Sequence, residues 1–365
     1  MKNSPITVAL IYGGRSAEHE VSLRSSASVF SAMDRDRYRI IPVMISREGG
    51  WYRLPADISS FTDPGGFSEA DRVLLPPDPT HMGGLLVVED GCVKPLPIDV
   101  AFPVLHGTYG EDGTLQGVFE MANIPYVGCG VTASAVGMDK VFMKGAFRDN
   151  GLLVGPFFWF LRSQWQAGRD EILQRLKRSR FPVFVKPANL GSSVGISRVA
   201  DSSQFEAAVD KAASFDRKIL VEDGIPGREL EVGVLGNDDP KASVAGEVVS
   251  HSDFYDYEEK YLKDTAELII PAQLSEEELA GVQEAATTAF RAVDGSGLSR
   301  VDLFLTPEDS IVVNEINTLP GFTSISMYPK LWETSGLSYD KLIDTLVDLA
   351  FERFHEKQTF QTSRM

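Results

Sequence analysis

The sequence predicts an α/β protein, and three features carry that reading. Short apolar runs alternate with helix-length amphipathic stretches in the first third. A strand–Gly/Ser loop–strand unit follows, and the strand-rich remainder is interrupted by one long helix. Ile6–Tyr12, closed by Gly13-Gly14, reads as the first strand, and a helix is expected from about His19 to Met33. Arg39–Ile45 and Val100–Leu105 read as further buried strands, with Thr114–Ala122 a short amphipathic helix. Strands alternating with helices imply a parallel sheet covered on both faces. Between them, residues 55–97 are rich in Pro, Gly and Asp and read as an irregular excursion. Asp139–Asn150 should be helical, with Asn150-Gly151 as its C-cap signal. A helix (Arg169–Arg178), a strand (Pro182–Lys186), a Gly/Ser loop, a strand (Gly195–Val199) and a helix (Ser203–Ala213) follow. Further strands are expected at Lys218–Glu222, Glu229–Leu235, Ser243–Val249 and Glu267–Pro271. Helix Ser275–Val293 begins with a capping box at Ser275 and Glu278. A hairpin of Arg300–Leu305 with Ser310–Asn317 and a closing helix, Tyr339–Phe354, complete the chain.

Composition narrows the function. The 365 residues suggest two or three domains, taking roughly 150 residues for each. With 35 Lys+Arg against 52 Asp+Glu, the net charge of −17 argues against nucleic acid or an anionic membrane as partner, because phosphate contacts need a basic face. Two cysteines, Cys92 and Cys129, make no disulfide framework and suit a reducing compartment. No apolar run approaches the roughly 20 residues that cross a bilayer. Met1–Pro5 lacks the basic region and apolar core of a signal peptide. A soluble, cytoplasmic, multi-domain protein is expected.

Several familiar signals are absent or misleading. There is no Gly-Lys dipeptide and hence no Walker A loop, and the five histidines are too scattered for an H-x-x-x-H zinc site. Gly128–Ala133 matches G-x-G-x-x-A, but almost no strand precedes it and no acidic residue follows at the dinucleotide-fold position. Gly191–Gly195 fits the G-x-S-x-G nucleophile elbow, with Asp302 and His355 in the chain order of a triad. An elbow needs a strand before the serine and a helix after it, whereas this loop joins two strands. A glycine-rich hairpin tip lets backbone N–H groups wrap anionic oxygens, and Lys186 could add a point charge to the same phosphates. Such a tip is also an ordinary turn.

The hairpin is more specific. Residues two apart on a strand share a face, so Arg300 sits with Asp302, and Glu315 with Asn317. If Leu305 pairs with Val312, Asp302 lies opposite Glu315, with Cβ atoms about 5 Å apart. Like charges so placed are unfavourable unless a cation lies between them. Two carboxylates and an amide oxygen form a hard oxygen set, suited to Mg²⁺ carrying nucleotide phosphates. The bland alternative is a solvated polar face. Gly13–Glu20 and His106–Gly113 both leave the carboxyl ends of expected strands, where α/β sheets bind ligands. Glu18 and Glu111 could equally favour a helix N-terminus and nothing more.

Together these motifs resemble the D-alanine–D-alanine ligases of the ATP-grasp superfamily. The resemblance runs through GGRSAEHEVS (13–22), LHGTYGEDG (105–113), MDK (138–140) and FVKPANLGSSVGISRV (184–199). It continues through VEDGIPGRELEV (221–232), FYDYEEKY (254–261), RVDLF (300–304) and NEINTLPGFT (314–323). Residues 55–97 carry none of it. It implies an ATP-grasp fold: an N-terminal parallel-sheet, Rossmann-like domain (1–138), a central subdomain (139–215) and a C-terminal subdomain (216–365), the last two gripping ATP. It implies that one D-alanine carboxylate attacks the γ-phosphate, giving an acyl phosphate and ADP. The amine of a second D-alanine then displaces phosphate, yielding a peptidoglycan precursor.

The residues come by the same resemblance. ATP is assigned to Lys140, Lys186, Ser193, Glu222, the backbone near Ile225, Glu229, Phe304 and Asn314. One or two Mg²⁺, with Mn²⁺ as a substitute, fall to Asp302, Glu315 and Asn317. Arg300 and the Gly321 amide match the oxyanion donors, and Glu18 matches the anchor of the first ammonium. His106, Tyr255, Lys260 and Ser326 belong to the D-alanine subsites. Ser192 and Tyr261 match partners of Glu18, and Phe254–Tyr261 has the character of a lid. Asp223 departs from the residue type expected beside adenine. A homodimer is the family's habit. Three other readings compete. A D-alanine–D-lactate ligase would differ at the lid, where Tyr261 argues for an amine nucleophile. Another ATP-grasp carboxylate–amine ligase would lack GGRSAEHEVS. A two-lobed small-molecule binding protein would leave the carboxylate–amide face unexplained.

Overall fold

The computed structural model describes residues 4–62, 67–68, 71–80, 84–89, 91–249 and 267–361. Its first sheet has four strands in the order Trp51–Arg53, Tyr38–Ile45, Ile6–Gly13, Val100–Val104. Ile6–Gly13 runs parallel to both neighbours, Val8 lying level with Ile40 and Val100. Its two faces serve two cores, Val8, Leu10 and Tyr12 in one, Ala9 and Ile11 in the other. Burial on both faces is why the strand reads as an unbroken apolar run.

Helix His19–Ala32 covers the first face together with the closing helix, Tyr339–Gln358, which returns from the far end of the chain. The second face is covered by helix Thr114–Ala122 and a small antiparallel sheet of Val73–Leu74, Gly84–Glu89 and Cys92–Pro97. That sheet corrects the expected irregular excursion over 55–97. Val73, Leu85 and Val87 bury against Ile41, Val43 and Leu115. Pro95 and Pro97 hid the strand from sequence, yet they lie on an edge strand, where proline is tolerated.

The parallel arrangement ends there; the other two large sheets are antiparallel. The central one runs Ser197–Val199, Val183–Pro187, Lys218–Asp223, Phe157–Leu161. Val183, Val185, Ile219 and Val221 pack with helices Asp170–Leu176 and Phe205–Ala213. Alternation then turns Lys186 and Glu222 to the opposite face. The last sheet runs Glu267–Ile269, Lys241–Val249, Arg228–Gly236, Gly297–Leu305, Ile311–Asn317. Leu230, Val232, Val301 and Leu303 pack with helices Glu276–Ala292 and Lys140–Asp149, leaving Glu229, Glu231, Arg300, Asp302 and Phe304 on the other face. The expected capping box is present: Ser275 N donates to Glu278 Oε2 at 2.6 Å, and Glu278 N to Ser275 Oγ at 3.2 Å.

Candidate active site

Asp302 stands opposite Glu315, and Arg300 opposite Asn317, but not through the expected register. Leu305 pairs with Ile311 rather than Val312, and the ladder shifts between Asp302 and Leu303, leaving Asn314 as an extra residue that restores the phase. Arg300 grips Asp302 as a fork, Nε to Oδ1 and Nη2 to Oδ2 both at 2.7 Å, and Nε lies 3.0 Å from Glu231 Oε2. Burial works against the Arg300 charge, but Asp302 and Glu231 outweigh it and hold the guanidinium well above its ordinary value. Asn317 Nδ2 donates to Asp302 Oδ2 at 3.1 Å, and Lys140 Nζ lies 3.5 Å from Glu315 Oε2. Among the described residues no group of three or more His, Cys, Asp or Glu could hold a metal. Two facing carboxylates and an amide do fit Mg²⁺, which keeps waters and phosphate oxygens in its remaining positions.

Side chains of helix Lys140–Asp149 reach both sheets, Lys140 toward Glu315 of one and Lys144 toward Glu222 of the other. Glu222 takes Lys144 at 2.7 Å on one oxygen and Lys186 at 2.6 Å on the other. Burial alone would raise the Glu222 carboxyl; the two ammonium groups outweigh it and hold it at about 2. For Lys144 burial prevails and lowers its pKa, whereas for Lys186 burial is outweighed by Glu222 and Glu315, which raise it. Lys144 also donates to Asn314 O at 2.9 Å, pinning the bulge. Sequence reasoning missed Lys144, although its place four residues after Lys140 on one helical face was a usable signal. It also missed Glu231, which shares a strand face with Glu229. Glu229 lies level with Phe304, and the Ile225 side chain covers Gly155, where a Cβ would come within 2.7 Å of Ile225 Cδ1.

The Gly191–Gly195 tip closes one end. It joins antiparallel partners, Val183–Pro187 and Ser197–Val199, so the elbow geometry is absent. Arg300 and Asn317 bond both Asp302 oxygens, while His355 stacks on Phe351 with ring centres 6.1 Å apart. That excludes the triad. Ser192 and Ser193 have φ of 48° and 58°, a left-handed pair that non-glycine residues hold only under constraint. Ser192 Oγ donates to Glu18 Oε1, tying the tip to the loop after the first strand. That loop is fixed at Gly13, where φ is +88° and a Cβ would sit 2.3 Å from Ile45 O. Gly13 N donates to Ser22 Oγ at 2.8 Å, and Ser22 Oγ donates to Val104 O.

His106 Nδ1 lies 3.1 Å from Leu319 O, and Nε2 lies 3.3 Å from Ser25 Oγ; burial lowers its pKa. Glu111 is more than a helix-terminal charge. It accepts from Gly107 N at 2.8 Å, and burial together with the Glu18 charge pushes its carboxyl up to about 8. Gly321 sits against Ser326, whose Oγ is 2.7 Å from Thr323 Oγ1. Tyr255, Lys260 and Tyr261, with the lid assigned to Phe254–Tyr261, lie outside the described residues.

Comparison with known proteins agrees with this geometry. Residues 7–129 match the model for the D-ala D-ala ligase N-terminus, and residues 146–348 the model for its C-terminus. The D-alanine–D-alanine ligase of Heliobacterium modesticaldum is 50% identical, covering 98% of this chain and 98% of that relative. The Bacillus cytotoxicus D-alanine–D-alanine ligase is 47% identical, with 97% and 98% covered. Among solved structures, the VanG D-Ala:D-Ser ligase from Enterococcus faecalis superposes with a TM-score of 0.85 at 37% identity, over 95% of this chain and 100% of that one. The D-alanine–D-alanine ligase from Coxiella burnetii also gives 0.85, at 35% identity over 98% and 97%. These matches over nearly the whole chain, with two antiparallel sheets beside a mostly parallel one that bears the Glu18 and His106 loops, place the chain in the D-alanine–D-alanine ligase family.

Proposed function

We propose that this enzyme joins two D-alanine molecules in an ATP-dependent reaction, through an acyl phosphate. The observation that carries the reading is the cleft itself: Lys186 and Glu222 on one sheet, Asp302 and Glu315 on the other, with Lys140 and the Gly191–Gly195 tip at one end. The first D-alanine is held by its ammonium at Glu18, near His106 and Ser192. Its carboxylate oxygen attacks the γ-phosphorus, the bond to the ADP oxygen breaks, and Lys140 and Lys186 balance the charge of the phosphoryl group in flight. Asp302, Glu315 and Asn317 would hold Mg²⁺, which when bound would supply further charge neutralisation at the phosphates. Glu222 and Glu229 offer acceptors to an amino group and hydroxyls, beside Ile225, Phe304, Ser193 and Asn314.

The second D-alanine, near Ser326 and Gly321, gives up its ammonium protons to solvent as its nitrogen bonds to the acyl carbon; the acyl C–O bond breaks and phosphate leaves with the electron pair. A guanidinium has five N–H donors, more than the Asp302 fork uses, so Arg300 can serve the oxyanion together with the Gly321 amide. The reading carries a cytoplasmic homodimer with units at 1–138, 139–215 and 216–365; no helix among the described residues is long and apolar enough to cross a membrane. The test is incubation with ATP, Mg²⁺ and D-alanine, with D-serine and D-lactate as competing acceptors. ADP, phosphate and D-alanyl-D-alanine in equal amounts are expected. A predominant ester or mixed dipeptide product would overturn the acceptor assignment, and no ADP formation would overturn the reaction.

A further inference from the structure

Helix Lys140–Asp149 starts from Asp139, whose Oδ1 accepts from the amides of Val141 at 3.0 Å and Phe142 at 3.3 Å. Its other oxygen takes the ammonium of Lys218, the first residue of a central strand. Both side chains are buried. Lys218 Nζ also lies 4.4 Å from the ring centre of Phe142 and 5.7 Å from that of Trp159. Both rings are partly exposed, and the ammonium lies within cation–π range of each.

Backbone bonds repeat the connection. Lys140 N donates to Ala188 O, and Ala188 N to Lys218 O, both at 3.0 Å. Asp216 accepts from Lys218 N at 3.2 Å and from both nitrogens of Asn189 at 2.9 Å. Two residues beyond Asn189 the Gly191–Gly195 tip begins, and Lys140 Nζ donates to Leu190 O at its base, 2.8 Å away. Lys218 is therefore the common anchor of the helix start and the tip.

We propose that the Asp139–Lys218 pair is a positioning brace for the nucleotide, fixing the Lys140 ammonium and the tip relative to each other. This rests on the reading that those two elements hold the ATP phosphates. A buried ion pair adds little net stability over apolar residues of the same shape. It is directional, however, and here it binds the cap of one element to the edge of another. Lys140 occupies the first helical position, so a shift in the cap moves its ammonium directly. Phosphoryl transfer is sensitive to such shifts because its catalysis is largely placement.

Lys218→Met and Asp139→Asn test the brace in the full-length enzyme. The asparagine substitution keeps a capping oxygen while removing the charge. Both should lower kcat/KM for Mg·ATP about ten- to hundred-fold, with KM for D-alanine changing less than about threefold. Calorimetric binding of Mg·ATP should weaken in step, and Lys218→Arg should recover most of the loss. A lower melting temperature with unchanged Mg·ATP affinity would mean that the pair only stabilises the fold, and would overturn the brace. Equal losses for ATP and D-alanine would overturn it too. Should Lys218→Met not fold, Asp139→Asn and Lys218→Arg decide the matter by the same comparison. A wild type that binds no Mg·ATP would overturn the underlying reading instead, and the brace with it.

Discussion

At Glu111, burial and the neighbouring Glu18 charge both disfavour ionisation, and this gives the site a pH signature. The carboxyl titrates near 4.5 when unfolded and about 8 when folded. Below 4.5 both states hold the proton, so the site imposes no pH-dependent cost. Between the two values the folded chain must keep a proton that the unfolded chain releases, so stability falls as pH rises and levels off above 8. Glu111→Gln stays neutral throughout. Its stability should gain on the wild type steadily from pH 5 to pH 8, by an amount on the order of a few kcal/mol at most, read as a widening difference in melting temperature. Parallel curves for the two proteins would refute the assignment. Two further substitutions probe the cleft. Glu315→Ala should abolish turnover, because it removes a proposed metal ligand and the partner of Lys140; near-normal dipeptide synthesis would exclude the hairpin as the metal site. Lys186→Ala should lose activity while Ser193→Ala keeps most of it, since a ligase needs the lysine and a hydrolase the serine. Labelling of Ser193 by a fluorophosphonate would reverse that conclusion.

Element boundaries follow local signals where those signals are strong. The Ser275–Glu278 box starts helix Glu276–Ala292 as the sequence indicates, and its two bonds lie at the surface. Ser275→Ala should therefore cost about 1 kcal/mol of stability with kcat and both KM values unchanged. A changed KM for ATP would mean that the helix start communicates with the site. The hairpin shows what periodicity can and cannot deliver. That Asp302 would oppose Glu315 was legible, because alternation and the short turn restrict the choices. The bulge at Asn314 was not, because it depends on Lys144 holding Asn314 O from a helix some 170 residues earlier in the chain. Phe157–Leu161 and Val131–Met138 were missed for a related reason. Each is short and nearly uniformly apolar or small, so its type is set by neighbours rather than by its own pattern. The side chains proposed to carry the chemistry were more legible than the elements between them. Glu18, Lys186, Arg300 and Asp302 carry chemistry that restricts their surroundings, whereas the partners that hold them, such as Glu231 and Lys218, come from distant segments.

On the scale of the whole molecule, the closing helix unites the two ends of the chain. The sequence predicted a closing helix over Tyr339–Phe354, which the structure extends to Gln358, but an apolar stripe does not say which sheet it covers. In the structure Leu342, Ile343, Leu346 and Val347 fill the core beneath Val8, Leu10, Val100 and Phe102 of the first sheet. Polar contacts fix the placement: Tyr38 Oη donates to Asp344 Oδ1 at 2.8 Å, Arg37 lies 3.1 Å from the same oxygen, and Arg353 donates to Tyr126 O at 3.1 Å and Ser296 Oγ at 2.6 Å. The first sheet and the five-stranded sheet are thereby parts of one packed body, and this sets His106 against Leu319 O at the end of the cleft proposed to hold D-alanine. A cavity within that shared core should weaken the whole body, not the closing helix alone. Leu346 is fully buried, so Leu346→Ala should cost about 2–5 kcal/mol and lower the melting temperature by several degrees in one cooperative transition. At temperatures where the variant remains folded, KM for Mg·ATP and for D-alanine should stay near wild-type values, because Leu346 lies in the core and is not itself one of the proposed cleft residues. Calorimetry would decide between the outcomes. A second, separate transition would show that the first sheet unfolds on its own and that the closing helix is an attachment rather than part of its core.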